Sequence, residues 1–517
     1  METGAILWIV VLGALWLATT IGQWKLFEKA GEPGWAAIVP IYSWVVWLKI
    51  IGKPIWWVVL LVIPVVGTLV SVAMVIELAK AYGKYKLKEH AGFLIFPFYT
   101  WPKAGFTEKV SYLGPPDTHE RVPKKSSLRE WGDALLFAGV AALIIRTFFI
   151  EAFMIPTSSM ERTLMAGDFL FVSKFHYGAR MPMTPMSVPF IHNKIKFSFA
   201  GKEILAPSYL DWLTLPYMRL PGLEDIERND IVVFNFPAHD IQDLGDGAGL
   251  VDIVSMKENY IKRCVAVPGD VLEIKRQQIY INGEKGWNPP NMQYEYLMET
   301  NGKRFNPKKI NELGFRKYVQ PTPGQPRDPN VNRNPNFIPV NNPRLSGHNS
   351  YIIFSPDSVV QILRNFDNVK KIDTVTAKPG KFNNGRSIYP KKNNLNGELF
   401  PFNIDNFGPI TIPQEGMSIE LTEENLSLYW RVIDVYEGHD LEVKGGKVYI
   451  DGTETTTYTF EMNYYWMMGD NRHNSEDSRV WGFVPENHIV GRPLFVFFSY
   501  EPDFGVRWNR IGTKYVH

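Results

Sequence analysis

Along the first 155 residues the charged positions thin out in blocks. Thr3 to Trp24 carries no charge over 22 residues, and Pro54 to Ile76 carries none over 23. About 20 mainly apolar residues cross the hydrocarbon core of a bilayer, so both blocks read as spans. Pro33 to Leu48 is uncharged for 16 residues but contains Pro40 and Tyr42, compatible with a span, a re-entrant piece or an interfacial segment. Ala91 to Pro102 is too short to assign. The last block, Trp131 to Ile155, is interrupted by Asp133, Arg146 and Glu151, and only Ala134 to Ile145 is continuously apolar. Arg146 and Glu151 near its end can snorkel to the headgroups, which predicts an anchor helix over 131–155. The opening segment begins with Glu2 and lacks a basic n-region, so it does not read as a cleavable signal.

After residue 155 the period shortens. Phe169–Val172, Ile231–Phe236, Tyr260–Val267, Ile279–Ile281, Val448–Ile450 and Leu494–Phe498 are short β-type runs, separated by turn signals such as Asn229-Asp230, Pro268-Gly269 and Asn282-Gly283. The fold class expected is therefore a set of N-terminal transmembrane α-helices followed by a mostly-β domain. One pattern recurs: Leu272-Glu273-Ile274-Lys275-Arg276-Gln277-Gln278-Ile279-Tyr280-Ile281-Asn282-Gly283 and Leu441-Glu442-Val443-Lys444-Gly445-Gly446-Lys447-Val448-Tyr449-Ile450-Asp451-Gly452 match without a gap. Each alternates apolar and charged positions, turns, and runs β again, which predicts two copies of a small hairpin. The stretch 320–345 is rich in Pro and Asn and offers little to a core, and Asn383-Asn384-Gly385 and Asn393-Asn394 mark further loops.

The boundaries that follow are a multi-span region 1–105, a basic loop 106–130, the anchor 131–155, a β-rich domain made of 156–283 and 438–517, and an inserted region 284–437. Lys84, Lys86, Lys88, Lys103, Lys109, Arg121, Lys124, Lys125 and Arg129 crowd the stretch before the anchor, so that side should be cytoplasmic and everything after residue 155 extracytoplasmic. At 517 residues there is room for several domains, and the net charge of +2 gives no footing for nucleic acid. The single cysteine, Cys264, excludes an intramolecular disulfide and a cysteine-based zinc cluster, and it reads as a small buried residue of a Val/Ile-rich strand.

Candidate chemistry lies in three ordered segments. Pro156-Thr157-Ser158-Ser159-Met160 follows directly on the apolar block, Tyr260-Ile261-Lys262-Arg263 comes a hundred residues later, and Gly469-Asp470-Asn471-Arg472-His473-Asn474-Ser475-Glu476-Asp477-Ser478-Arg479 is the third. A serine hydroxyl is a poor nucleophile until a base takes its proton. A lysine serves when burial brings its pKa down from about 10.4, and Ile261, Val265 and Val267 are the apolar neighbours expected to bury Lys262.

Together with Arg228-Asn229-Asp230-Ile231-Val232-Val233-Phe234, these segments resemble the type I signal peptidases, membrane-bound Ser/Lys proteases of the S26 family. The resemblance covers roughly 131–283 and 438–500, leaving 284–437 and the earlier hydrophobic blocks without a counterpart. It implies Ser159 as nucleophile and Lys262 as general base. It further implies Thr157 and the Ser159 backbone as oxyanion donors, Ser475 as the lysine-orienting group, and Asp477 and Arg479 as an ion pair shaping the site. Phe153, Ile155, Met160, Leu164, Tyr260 and Ile261 fall where the family lines shallow pockets for small side chains at P1 and P3. Arg162 replaces the proline of S-M-x-P-T-L and Asn229 the glycine of R-G-D.

The implied activity is removal of signal peptides from exported preproteins, after Ala-x-Ala-type sites, at a bacterial cytoplasmic membrane. The partners implied are signal peptides, the lipid bilayer and the secretion machinery, with no cofactor, metal or nucleic acid. The alternative is a catalytically idle, membrane-anchored scaffold in which 284–437 binds a partner. No S-x-x-K occurs, which argues against a penicillin-binding enzyme. No H-E-x-x-H occurs, and the hydrophobic blocks hold no paired aspartates for an aspartic signal peptidase.

Overall fold

The computed structural model describes residues 3–514 apart from 63–65, 119–141, 185–193, 200–201, 209–213, 238–252, 304, 316–336, 340–349, 381–387, 391–398 and 503–504. The chain divides into two compact units, the first essentially residues 1–144 and the second essentially 145–517.

The first unit is helical. Thr3–Lys29 is one long helix, followed by a 3₁₀ turn at Gly34–Ala37 and helices Tyr42–Ile51, Trp57–Val62, Val66–Ala81, Leu87–Ile95 and Pro97–Phe106. Its core gathers Leu26, Phe27, Val46, Leu48, Ile51, Leu78 and Trp101. Thr3–Lys29 lies close against Pro97–Phe106 because glycine permits it: a Cβ on Gly105 would sit 2.7 Å from that of Lys25. Lys29 then donates to the carbonyls of Ala104, Thr107 and Val110, in and just beyond the last turn of Pro97–Phe106. Among the described residues no helix is long and apolar enough to cross a membrane. The block Pro54–Ile76, read as one span, is described as two helices on either side of 63–65, and Pro33–Leu48 holds the 3₁₀ turn and most of a helix. Residues 131–141 of the 131–155 anchor lie outside the described residues; 142–148 are helical, but its end becomes the strand Ile150–Met154. Successive residues Ile150 to Met154 pair with Ser173 to Phe169, and that ladder overrides the helical reading of an apolar run.

The second unit is built on an eight-stranded sheet. Its main path runs Ile150–Met154, Asp168–Ser173, Ile489–Glu501, Ile231–Asn235, Asn259–Ala266, Tyr464–Met468, Val484–Pro485, with Gly505–Val506 beside Ile489–Glu501. Pairing along it is antiparallel. Ile231–Asn235 is buried at every position, as a central strand covered on both faces must be. One face packs Val232, Phe234, Cys264, Met467 and Trp481; the other packs Ile155, Met160, Leu164, Val172, Val233 and Val490.

Both repeated segments are hairpins of identical register: Leu272 faces Ile281 in one, and Leu441 faces Ile450 in the other. Each continues into a short third strand, Glu284–Lys285 and Thr453–Glu454 respectively. Residues 284–437 feed two cores. Tyr294–Thr300, Pro307–Glu312, Phe337–Pro339, Ser350–Ser355, Asp357–Arg364 and Val369–Thr374 follow one another as β-α-β-β-α-β. Their sheet order places the first and third strands in the centre and the second and fourth at the edges, the split β-α-β arrangement. Its core holds Tyr296, Met298, Ile310, Phe315, Ile353, Val360 and Leu363. Further along, Phe407–Thr411 pairs with the first hairpin, and Tyr429, Val432 and Ile433 join that hairpin's core. Most of 320–345 and the two Asn-rich loops lie outside the described residues.

Candidate active site

Where the strand Ile150–Met154 ends, Ile155 donates to the Asp168 carbonyl and accepts from Gly167, closing the neck of a loop that carries Ser159. Within it Glu161 N–H bonds Ser158 and Leu164 N–H bonds Met160, so the chain coils tightly just after the serine. The third segment holds the loop from outside. Asn471 donates its backbone N–H to the Ser159 carbonyl at 3.0 Å and its side-chain amide to the Ser158 carbonyl at 3.1 Å. Asn474 donates to Ser158 Oγ at 3.1 Å, and Thr163 Oγ1 donates to Asp470 Oδ2 at 2.6 Å.

Lys262 stands on the strand Asn259–Ala266, paired opposite Val232, and is 3% exposed. Its Nζ donates to Ser159 Oγ at 2.8 Å and to the Ile261 carbonyl at 3.1 Å. Burial lowers its pKa to about 8; Asp477, Glu476 and Asp470 pull weakly the other way. About one site in ten is therefore neutral at pH 7, against about one in 2,500 for a solvated lysine. Of the three apolar neighbours the sequence pointed to, Val267 packs against the cluster that holds Cys264. Alternation puts Lys262 on the face with Tyr260 and Cys264, while Ile261 joins the opposite cluster and Val265 the hairpin core. The ammonium lies 5.5 Å from the Tyr260 ring centroid.

Asp477 and Arg479 form a buried two-pronged pair, with Nε to Oδ1 at 2.8 Å and Nη2 to Oδ2 at 2.7 Å. Asp477 also accepts from Gly469 N–H at 3.1 Å, and its carboxyl is held below the usual range despite burial, first by the Arg479 charge. A second fork was not singled out in the sequence: Arg263 Nε and Nη2 reach Asp470 Oδ1 and Oδ2 at 2.8 and 2.7 Å. Its signal was the basic residue next to Lys262, which strand alternation turns to the other side. Ser475 Oγ lies against Gly469, and its hydrogen bond goes to the Glu476 carbonyl at 3.4 Å. Thr157 is exposed, with Oγ1 3.5 Å from Ser159 Oγ.

Phe153, Ile155, Met160, Leu164 and Ile261 gather in one apolar cluster. Tyr260 is across the strand from them, stacked on Phe236 with centroids 4.5 Å apart. Cys264 is fully buried, and burial pushes its thiol pKa well up, which disfavours the reactive thiolate. Among the described residues no cluster of His, Cys, Asp or Glu is arranged to hold a metal ion. The arrangement as a whole is a half-buried hydroxyl against a dry amine, a pair between which a proton can pass.

Residues 128–326 and 453–498 match the family model for signal peptidase, peptidase S26, and 35–115 match a family of unknown function, DUF5684. Among curated proteins the chain is similar to "Signal peptidase I" of Buchnera aphidicola subsp. Schizaphis graminum, 26% identical over 72% of this chain and 77% of the relative. It is 29% identical to that of Pseudomonas aeruginosa over 33% of this chain and 43% of the relative. With that of Rickettsia massiliae it shares 31% identity over 31% and 45%.

Proposed function

We propose that the chain is an S26 signal peptidase, a serine endopeptidase that removes signal peptides, and that it works through a Ser159–Lys262 dyad; the family-model match and the similarity to proteins named "Signal peptidase I" support this reading. The observation that carries this reading is the 2.8 Å contact between Ser159 Oγ and a buried Lys262 Nζ whose pKa is brought down to about 8. Neutral Lys262 takes the hydroxyl proton as Ser159 Oγ attacks the scissile carbonyl. The same proton passes to the leaving amine as the acyl-enzyme forms, and a water then repeats the cycle to release the acid. The Ser159 N–H and the Thr157 hydroxyl stabilise the oxyanion. We assign Ser475, whose hydroxyl donates weakly to the Glu476 carbonyl, the part of orienting the amine, and the Asp477–Arg479 fork that of keeping the segment behind it rigid.

We expect small side chains at P1 and P3, because the apolar cluster of Ile155, Met160, Leu164, Phe153 and Ile261 adjoins the loop that carries Ser159. We place the catalytic domain on the extracytoplasmic face of a bacterial cytoplasmic membrane, anchored by the N-terminal hydrophobic blocks. The uncharged runs Thr3–Trp24 and Pro54–Ile76 support this. So do exposed large apolar side chains in the helical unit, among them Trp16, Leu17, Ile21, Ile55, Trp56 and Val59, a surface that suits lipid. The test is incubation of the full chain with a preprotein bearing Ala-x-Ala, followed by N-terminal sequencing of the product. Cleavage after the second alanine, absent in Ser159→Ala, is expected; cleavage after large or charged residues overturns the reading.

A further inference from the structure

Arg162, three residues past Ser159, has φ 70°, the left-handed region that is strained for a residue with a Cβ. Proline, which the family pattern carries here, is held near −65° and cannot adopt it. The left-handed turn sends the side chain out of the loop toward residues 307–315 of the split β-α-β region. Nη2 donates to the Leu313 carbonyl at 2.6 Å, an acceptor that the end of the short helix Pro307–Glu312 leaves open. The guanidinium lies 5.8 Å from the Phe315 ring centroid. Gly314 completes the seat: a Cβ there would stand 3.0 Å from Arg162 Nη2. Phe315 is fully buried in the core of that region, so the seat is rigid. Meanwhile Thr163, the next residue, is hydrogen-bonded to Asp470. The turn after the serine is thus pinned on one side to the catalytic sheet and on the other to the insertion.

We propose that Arg162 is a positioning residue through which the inserted β-α-β-β-α-β region sets the placement of Ser159 against Lys262. This rests on Ser159 being the nucleophile. A displacement of about 1 Å in a reacting group costs on the order of 10²-fold in rate, so a tether three residues away acts on kcat more than on substrate binding.

The full-length chain in detergent, with an Ala-x-Ala preprotein as substrate, provides the test. Arg162→Gly keeps the left-handed backbone and removes the guanidinium, and kcat should fall about tenfold or more with KM within about twofold. Arg162→Lys, which can still reach the Leu313 carbonyl, should recover most of that loss, whereas Arg162→Pro should be at least as impaired as the glycine variant. From the other side of the contact, Phe315→Leu should lower kcat in the wild-type background and add little in Arg162→Gly, since partners in one contact are non-additive. Full kcat in a folded Arg162→Gly overturns the proposal, as do additive losses in the double variant. Should Arg162→Gly fail to fold, Phe315→Leu decides alone, and unchanged kcat there overturns it. Turnover surviving in Ser159→Ala sinks the nucleophile reading itself; a dead Ser159→Ala beside a fully active Arg162→Gly removes only the role of Arg162.

Discussion

The loop that carries Ser159 and the strand that carries Lys262 meet at a 2.8 Å contact but are built on opposite principles. The strand is positioned by its own ladders, opposite Ile231–Asn235 on one side and Tyr464–Met468 on the other, and its last five residues are buried. The loop has no ladder. Pro156 and Thr157 are exposed, Ser159 is half-buried, and side chains from distant segments fix the coil around it, namely Asn471, Asn474, Asp470 and the Leu313 carbonyl reached by Arg162. The difference follows the chemistry. A base that must lose its proton near neutral pH has to be dry, whereas a nucleophile has to remain reachable by a polypeptide.

Removing either partner should break the comparison most completely. Ser159→Ala and Lys262→Met should each lower kcat by about 10⁴-fold or more, and the double variant should be no worse than either, because the pair acts as a unit. Lys262→Met should also raise stability. The folded pKa of about 8 lies below the unfolded value near 10.5, so at pH 7 the chain bears the cost of a buried ammonium, roughly 3 kcal/mol at about 1.4 per unit. By the same sign, wild-type stability rises with pH between about 8 and 10.5, where the unfolded chain still holds the proton, and this slope should vanish in Lys262→Met. Urea melts at pH 7 and pH 9.5 check both; a less stable Lys262→Met would mean the lysine is folded in at no cost.

On the loop side, Thr157→Val should reduce kcat about 10²-fold with KM nearly unchanged, since an oxyanion donor acts in the transition state. A change confined to KM would make Thr157 a binding residue.

The pH profile probes both regions together. kcat/KM should rise through about pH 8, roughly tenfold from pH 7 to the alkaline plateau, as Lys262 loses its proton. Glu161 is the competing group: buried next to Met160 and facing Arg162, Arg507, Arg510 and Glu501, its carboxyl is raised to about 7, first by burial. Glu161→Gln should leave the limb near 8 in place. A limb that disappears in this variant would transfer the titration from the strand to the loop.

The smallest effect belongs to the strand. Cys264→Ala should keep full activity and cost about 1–2 kcal/mol in a denaturant melt, the signature of a packed side chain. Loss of turnover in a folded protein would return the thiol to the chemistry.

Short-range pattern in the sequence was enough to mark out the six β runs and the two hairpins, while the Ser159 and Lys262 segments stood out only through the resemblance their ordered motifs carry. Alternation and turn residues act over a few positions, and the chain adopts locally what they dictate. The two hairpins show where that reach ends. Their registers are identical, yet Leu272, Ile274, Ile279 and Ile281 are all buried while Val443 of the second copy is 61% exposed. The second copy turns on Gly445-Gly446, whereas the first forces Arg276 and Gln277 to positive φ and holds Gln277 there by bonds to Asp405, Val375 and Thr376. Similarly, the strand and its alternation were legible around Lys262, but which face met Ser159, and that Arg263 would pair with Asp470 two hundred residues away, were not. The β-α-β-β-α-β region gave little pattern because its helices are short and its second strand is only Phe337–Pro339. Burial, charge pairing and the seat of Arg162 depend on what arrives opposite a residue from elsewhere in the chain. Hydrophobic periodicity carries no record of that, so only the tertiary structure decided it.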